Sequence, residues 1–578
     1  MTPLAQGCPF VLLDDARTGA AHLYRDPVGE ITARTPEEVA PALAALRTTR
    51  HVAAGYICYE AGLALEPRLA PLGSAIEPLL WFGLFERAEL VDPAALLGDP
   101  AGAWAGPIHP RIDEAAYCDG VGRVLDYIAA GDIYQANLSF RADLAVAGSP
   151  TALYARLRGP GGGGWGGIVH DGTRWLLSCS PELFFTLEQG RLTARPMKGT
   201  APRGADPAEL NADAKQRAEN LMIVDLLRND LARVAIAGSV AVPRLFDVET
   251  YPTLLQMTST VTAELADGRD AVDALTALFP CGSVTGAPKI RAMEIIAELE
   301  TDSRGPYTGA IGRLGPNGDA AFNVAIRTLM IGSDRECAVI GLGSGIVADS
   351  RPAAEWRECL AKGAFVTAAS TPFDLIETMR FDAEMGLIEL ERHLGRLKTS
   401  AERFGFVCDR HALRNELQAA TFRLRDDRCV RVRLSPTGAV AIEVRPVPAV
   451  IQQADVALVA HPVARDDFRL AHKTSDREFY DAARRGAGTF EVELVDGQGF
   501  VTEGSFTNIF VRRDGLLVTP PLARGLLPGV LRGLLIDQGL AFEGDLAVAD
   551  LASGFYIGNA LRGLIPARLV AGAKASGL

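Results

Sequence analysis

The stretch Ala194-Arg195-Pro196-Met197-Lys198-Gly199-Thr200-Ala201-Pro202-Arg203-Gly204 places a lysine where a β-like run gives way to a turn rich in glycine and proline. A lysine at such a junction is a nucleophile if neighbours or burial depress its pKa. Sixteen positions upstream, Ser178-Cys179-Ser180-Pro181-Glu182-Leu183-Phe184 supplies Glu182, an acid able to expel a leaving group if it shares that pocket. A solvated lysine beside a turn is the alternative that composition alone allows.

The 578 residues exceed what one hydrophobic core organises, so two or more domains are expected. Hydrophobic residues make up 48% and charged residues 22%, the balance of a globular enzyme. Fifty-eight basic against 71 acidic side chains leave a net charge of −13, which argues against nucleic acid and an anionic membrane surface as partners. The nine cysteines show no CxxC spacing. Neither a disulfide framework nor a zinc site is expected, and a reducing cytoplasm fits. Met1-Thr2-Pro3-Leu4-Ala5-Gln6-Gly7-Cys8 lacks the basic-then-apolar order of a signal peptide, and no charge-free run is long enough to cross a bilayer.

Outward from Lys198, helical spacing is expected near Pro36–Arg47, over Asp113–Gly131, over Ala208–Val234 as one long helix, over Gly286–Leu299 and over Glu355–Ala364. Phe322–Met330 and Cys337–Leu342 have the composition of buried strands. Residues 91–110 read as a connector, and Gly159–Gly167 as a flexible glycine loop. The turn-prone Ala368-Ala369-Ser370-Thr371-Pro372 precedes a fresh α/β pattern from Phe373. A first domain is therefore expected over 1–367, with an N-terminal region 1–110 and a core 111–367, and a second over 372–578.

Glu355 and Glu358 lie three apart, on one face of a helix, and Glu219 opens Glu219-Asn220-Leu221-Met222-Ile223-Val224-Asp225-Leu226-Leu227-Arg228-Asn229-Asp230. Mg²⁺ takes a few carboxylates plus water and substrate oxygens, so these are candidate ligands, with solvated helix glutamates as the alternative. Arg327 ends the apolar run Phe322–Ile326 and can clamp a carboxylate with two hydrogen bonds. Gly343-Ser344-Gly345 lets backbone N–H groups approach an anion, or forms an ordinary turn. Gly282-Ser283-Val284-Thr285-Gly286-Ala287-Pro288-Lys289 fails the spacing of a phosphate loop, because Ala and Pro separate the second glycine from lysine; nucleotide binding is rejected there.

These segments, with Gly131-Asp132-Ile133-Tyr134-Gln135-Ala136-Asn137-Leu138-Ser139, Phe279–Lys289, Gly305-Pro306-Tyr307-Thr308-Gly309-Ala310 and Glu355–Lys362, resemble the chorismate-utilising enzymes, in the right order over roughly residues 110–365. Gly55-Tyr56-Ile57-Cys58-Tyr59-Glu60-Ala61 looks like component I of the aminodeoxychorismate synthases. The resemblance implies an α+β fold, an αβ sandwich of large, mostly antiparallel sheets. Anthranilate synthases have alanine where this chain has Lys198, and aminodeoxychorismate synthases have lysine. Water-using isochorismate synthases place a lysine base where this chain has Gln135. The similarity thus implies ammonia as the final nucleophile. It further implies Mg²⁺ on Glu219 and Glu358 with Glu355 close by, chorismate held by Gln135, Thr200, Tyr307, Arg327, Gly343 and Gly345, and catalysis by Glu182 and Lys198. Gln256 departs from relatives that carry histidine. The chain shows no glutaminase signature, so a separate glutamine amidotransferase subunit is expected to supply ammonia.

The second half offers the basic, amphipathic Glu391–Ala401, a lysine in His472-Lys473-Thr474-Ser475-Asp476-Arg477, Glu503 in Val501–Phe510, and a turn into a helix at Gly525–Arg532. A lysine, an acid, an arginine and an anion-binding helix start are the parts of a pyridoxal phosphate site. Their order resembles fold-type IV pyridoxal phosphate enzymes, two-subdomain α/β proteins. The resemblance implies Lys473 as Schiff-base lysine, Glu503 beside the pyridine nitrogen, and Arg396 with Leu527, Val530 and Leu531 around the phosphate. His472-Lys473-Thr474 and the segment Gly558–Gly563, which holds Arg562 as a substrate contact, look most like aminodeoxychorismate lyase. Ala560 departs from a usual hydroxyl residue, and the domain lacks an extra strand before Ile376-Glu377-Thr378. Amination of chorismate followed by loss of pyruvate to give 4-aminobenzoate is the activity implied, with a homodimer through the second domain allowed. The alternative is an anthranilate synthase component fused to an aminotransferase or to a degenerate scaffold.

Overall fold

The computed structural model describes residues 7–15, 18–72, 78–158, 164–250, 254–368 and 371–570. Residues 1–6 of the segment read for a signal peptide, 159–163 of the glycine loop and 369–370 of the turn-prone segment before Phe373 lie outside the described residues. The chain divides into two compact units, one of residues 1–100, 107–146 and 150–370, the other of 101–106, 147–149 and 371–578.

The first unit is built on two large sheets of antiparallel neighbours. One runs through Gly286–Ala287, Gln135–Ala147, Cys337–Ile346, Thr328–Ile331, Trp175–Ser178, Gly166–His170 and Phe10–Asp15; the other has ten strands and contains Leu183–Glu188, Met197–Pro202, Leu254–Glu264 and Ala320–Val324. Their facing sides share an apolar layer that includes Val11, Tyr56, Val169, Leu176 and Ile311. On the far side of the ten-stranded sheet, Phe185 and Phe322 meet Val39, Leu43, Ile223, Leu227 and Leu275 from the helices Pro36–Thr48, Ala214–Ala232 and Ala271–Leu278. On the other sheet, Phe140 packs on Tyr117 and Trp356 of the helices Glu114–Ala129 and Pro352–Gly363. Each sheet therefore buries both faces, which hides the strict alternation of a one-sided strand.

Several elements differ from the sequence expectation. Ala208–Val234 is two helices, Pro207–Ala212 and Ala214–Ala232, because Asp213 adopts extended backbone and its carboxylate accepts from Lys215 and Gln216 N–H. Phe322–Met330 is two strands in different sheets; Arg327, with φ 50°, turns the chain between them. The helix expected over Gly286–Leu299 begins only at Lys289, since Gly286 and Ala287 pair with Ala136 and Gln135. Residues 91–110 are not a plain connector: they hold the helix Pro93–Leu97, capped by Asp92, and His109–Pro110 pairs with Asp143 and Ala142.

The second unit contains a four-stranded sheet, Gly386–Leu387, Leu375–Asp382, Arg428–Leu434 and Val440–Pro446, and a nine-stranded sheet. The nine-stranded sheet is mixed, with Ala454–Ala460 parallel to both Glu491–Val495 and Gly563–Leu569. This is the two-part α/β layout expected for the second half.

Candidate active sites

Lys198 sits inside the strand Met197–Pro202 rather than beside it. Met197 pairs with Thr258 and Thr200 with Gln256, so Lys198 and Gly199 form a bulge. Gly199 has φ 96°, and a Cβ there would lie 3.1 Å from both Gln216 Oε1 and Met257 Cβ. The bulge is tied down on its backbone: Asn220 Nδ2 donates to Lys198 O at 3.3 Å, and Gln256 Nε2 donates to Gly199 O at 2.9 Å. Thr200 is exposed, and its hydroxyl donates to Gln256 Oε1 at 3.1 Å. Gln256 is thus a brace of the lysine's strand.

The strand Cys337–Ile346 brings the glycines up to the lysine. Gly345 pairs with Asn137, and a Cβ on Gly345 would stand 3.2 Å from Lys198 Nζ and 3.3 Å from Gln135 Nε2. Gln135 and Lys198 therefore converge on one glycine, which lies in a strand and not in a turn. Gln135 Nε2 and Asn137 Nδ2 are buried and have no hydrogen-bond partner among the described residues. Two unspent amide donors suit the oxygens of a carboxylate or hydroxyl. Gly343 is closely packed: a Cβ there would meet Ser139 Cβ at 2.7 Å and Leu138 O at 2.8 Å, and its carbonyl accepts from Lys362 Nζ at 3.0 Å. Tyr307 lies against Gly341, where a Cβ would strike its ring at 2.2 Å. Arg327 is half-buried at the crossing between sheets.

Glu182 is buried, and Ser180-Pro181-Glu182 clips it to the strand Ala320–Val324: Ser180 Oγ donates to Val324 O at 2.6 Å, and Val324 N donates to Glu182 O at 3.1 Å. Ser283 Oγ donates to Glu182 Oε1 at 2.8 Å. Burial pushes the Glu182 carboxyl up to about 7, against the Ser283 hydrogen bond and the Lys198 charge. Lys198 is pushed down, first by burial and then by Lys362, while Glu219, Glu182 and Glu358 oppose the shift. The acid is held near its protonated form and the amine toward its neutral form, which general acid and nucleophile require.

The three glutamates read as metal ligands are not gathered into one ready-made set; among the described residues no three acidic, histidine or cysteine side chains are. Glu358 is ion-paired to Lys362 at 2.7 Å. Glu219 is raised by burial, and Asp349 and Glu358 add to that. Glu355 stands in the first turn of the Pro352–Gly363 helix. Crowded carboxylates such as Glu219 and Glu358 fit a magnesium ion that draws its other oxygens from substrate and water. Lys289 of the rejected phosphate loop donates to Asp230 Oδ2 at 2.6 Å and to Leu278 O at 2.9 Å, a buried structural pair.

The second unit holds a cavity of about 560 Å³ lined by Lys473, Glu503, Arg396, Leu527, Val530 and Arg562, among others. Lys473 is lowered to about 7, chiefly by burial. Glu503, on the strand Phe500–Gly504, is raised to about 7 by burial; Tyr480 Oη donates to its Oε1 and Leu527 N to its Oε2 at 3.0 Å. Arg396 commits its fork to Glu377, with 2.8 and 2.7 Å contacts, and its Nη1 to Pro528 O at 3.0 Å. Glu377 also accepts from His393 Nδ1 at 2.7 Å. The arginine thereby fixes the Pro528-Gly529 turn that opens the helix Val530–Asp537. Gly529 leaves a cradle there: a Cβ would fall 1.8 Å from Asn508 Oδ1. Leu531 packs against Phe510, Leu517 and Leu535. A buried amine, a buried acid and an open helix N-terminus around one cavity fit pyridoxal phosphate.

Sequence reasoning gave no role to Ser283, Lys362, Asn220 or Tyr480. Ser283, Lys362 and Asn220 lay inside motifs that carried the resemblance, which was their only signal.

Residues 8–368 match the model of the chorismate binding enzymes, and residues 374–570 that of amino-transferase class IV. The chain is 44% identical to anthranilate synthase component 1 of Streptomyces coelicolor over 48% of its length, and 43% identical to aminodeoxychorismate synthase component 1 of Salmonella typhimurium over 44%. Each match spans 57% of the relative, so the chain covers a little over half the length of these curated relatives. Among solved structures, anthranilate synthase component I from Streptococcus pneumoniae matches at 26% identity and a TM-score of 0.52, covering 64% of this chain and 94% of that one. No helix among the described residues is long and apolar enough to cross a membrane.

Proposed function

Because the chain belongs to the chorismate binding enzymes, we propose that its first unit aminates chorismate to 4-amino-4-deoxychorismate and its second converts that product to 4-aminobenzoate and pyruvate. Identity to relatives does not choose between this and anthranilate formation, at 43% against 44%. The observation that carries the reading is Lys198, with its amine 3.2 Å from the position a Gly345 Cβ would take and its pKa depressed.

In the first unit, Glu182 protonates the departing C4 hydroxyl, which leaves as water while the Lys198 amine bonds to C2. Ammonia then bonds to C4 and the C2–lysine bond breaks, returning the amine. Two displacements replace one hard one. Gln135 and Arg327 hold substrate oxygens, with Tyr307 and the Gly343 and Gly345 backbone lining the same face. Thr200 reaches this task only through the strand it braces. A magnesium ion, held by Glu219 and Glu358 with Glu355 near, would neutralise the ring carboxylate. The ammonia comes from a separate glutamine amidotransferase in the cytoplasm.

In the second unit, pyridoxal phosphate when bound supplies the electron sink for the elimination. Lys473 would hold it and take the proton from substrate C4; the enolpyruvyl group leaves from C3 as enolpyruvate, which gains a proton to become pyruvate. Glu503 would pair with the pyridine nitrogen, the backbone at Leu527, Val530 and Leu531 with Arg396 would hold the phosphate, and Arg562 would meet a substrate carboxylate. Product identification by mass, with chorismate, ammonia and Mg²⁺, tests the proposal. Aminodeoxychorismate and 4-aminobenzoate are expected; anthranilate as the main product would sink it, and a missing second product would sink the lyase half alone.

A further inference from the structure

The acid Glu182 is not the end of its hydrogen-bond chain. Ser283 Oγ, buried on the turn Gly282–Val284, donates to Glu182 Oε1 at 2.8 Å, and Cys281 Sγ lies 3.2 Å from the same hydroxyl. Three buried groups are thus strung in one line, Cys281 to Ser283 to Glu182. The direction of the line follows from chemistry. A serine hydroxyl has one hydrogen, and the contact to the carboxyl uses it, so the thiol hydrogen points at Ser283 Oγ and holds that rotor. With Ser283 as donor, Glu182 Oε1 is the acceptor, and a proton on the acid is carried by Oε2.

We infer that Ser283 is a positioning residue for proton donation: it keeps the Glu182 proton on Oε2, and its hydrogen bond strengthens as that proton departs. A bond to a neutral carboxyl becomes a bond to a carboxylate during transfer, and charge-assisted hydrogen bonds are roughly twice as strong as neutral ones. A contact that tightens only as charge develops lowers the barrier rather than the ground state. The charged and titratable groups facing Glu182 are Lys198 from the Met197–Pro202 strand and Cys281 from the turn; the thiol is itself held protonated by burial. The inference rests on the proposed amination only for its kinetic consequence, because the arrangement of the three groups is independent of substrate.

The test has two arms on the full-length protein. In the infrared arm, the protonated-carboxyl C=O band assigned to Glu182 by subtracting the Glu182→Gln spectrum is titrated in wild type and in Ser283→Ala. The band should titrate at higher pH in Ser283→Ala, since the carboxylate loses its donor, and Ser283→Thr should return it toward wild type. In the kinetic arm, Ser283→Ala should lower kcat on the order of 10–100-fold, a part of the 10²–10⁴ that a general acid supplies, with KM for chorismate little changed. An unmoved carboxyl titration in a folded Ser283→Ala protein would overturn the inference, as would wild-type kcat. If wild type makes no aminated product, the amination reading fails while the infrared arm still decides whether Ser283 donates to the Glu182 carboxylate.

Discussion

Gly345→Ala is the sharpest perturbation of the first site, because the structure states what the added methyl would touch. It would sit 3.2 Å from Lys198 Nζ and 3.3 Å from Gln135 Nε2. Ordinary contacts of a real Cβ begin near 3.4 Å, so both neighbours must retreat by a few tenths of an ångström. Both are the ends of long side chains, and the fold can absorb the shift; the stability cost should stay under about 1 kcal/mol, below the roughly 1–3 kcal/mol of core overpacking. Catalysis cannot absorb it so well. A 1 Å misplacement costs about 10²-fold, so displacing the amine by part of that should lower kcat for chorismate amination about 10-fold, equivalent to about 1.4 kcal/mol of barrier. Gly343→Ala is the control, since its Cβ would strike Ser139 Cβ at 2.7 Å and a backbone oxygen at 2.8 Å. That variant should lose about 1–3 kcal/mol of stability. Stopped-assay product formation with calorimetric melting on both variants gives the comparison. Wild-type kcat in Gly345→Ala, or a melting loss in it as large as that of Gly343→Ala, would refute the argument that Gly345 makes room for the reacting amine.

Loading of the second site should follow the Lys473 amine. Its pKa is about 7, so the rate at which added pyridoxal phosphate gains its protein-bound visible absorbance should rise as pH increases through 7 and then level off. An ordinary lysine would keep the rate climbing toward pH 10, and that profile would count against a depressed amine; Lys473→Ala should show no such band. Glu493 is buried, and neither carboxyl oxygen has a hydrogen-bond partner among the described residues. Its pKa is well raised by burial and by Glu491 and Glu503, so folding keeps its proton while the unfolded chain loses it above about 4.5. Its contribution to stability therefore falls as pH rises. Glu493→Leu should raise stability by about 1–3 kcal/mol at pH 8 and by less at pH 5; a gain that shrinks with rising pH would contradict this sign.

The architecture was legible where local signals act alone. Asp113 caps its helix through Ala116 N–H, and the helix near Pro36 and the Pro352–Gly363 helix carry their own N-terminal proline. It was illegible where tertiary structure overrides a continuous pattern. Asp213 breaks an unbroken helical periodicity with a single extended residue, and Arg327 passes an apolar run from one sheet to the other. The site divides the same way. Lys198, Glu182 and Lys473 stood out as candidates by residue type and surroundings, each with a structural alternative, and the family resemblance gave them their expected roles. Ser283 did not, because its meaning lies in a contact across 101 positions, and neither did Lys362, whose amine meets Glu358 and Gly343 O.

The two sites reach one electrostatic solution by different folds. In each, burial lowers a lysine and raises a glutamate to about 7. The supports differ in what they permit. Glu182 receives one hydroxyl donor, from Ser283, and keeps Oε2 for a proton to give away. Glu503 receives two donors, from Tyr480 and Leu527 N–H, one on each oxygen. A carboxyl held from both sides is poorly arranged to release and regain a proton, and well arranged to remain a fixed negative partner once a cation faces it. On the proposed roles, this difference in donor count suits Glu182 to turning over its proton and Glu503 to pairing with a cation. Tyr480→Phe should accordingly raise the pKa of Glu503 and weaken pyridoxal phosphate retention on dialysis, while leaving chorismate amination unchanged; undiminished retention would remove the distinction.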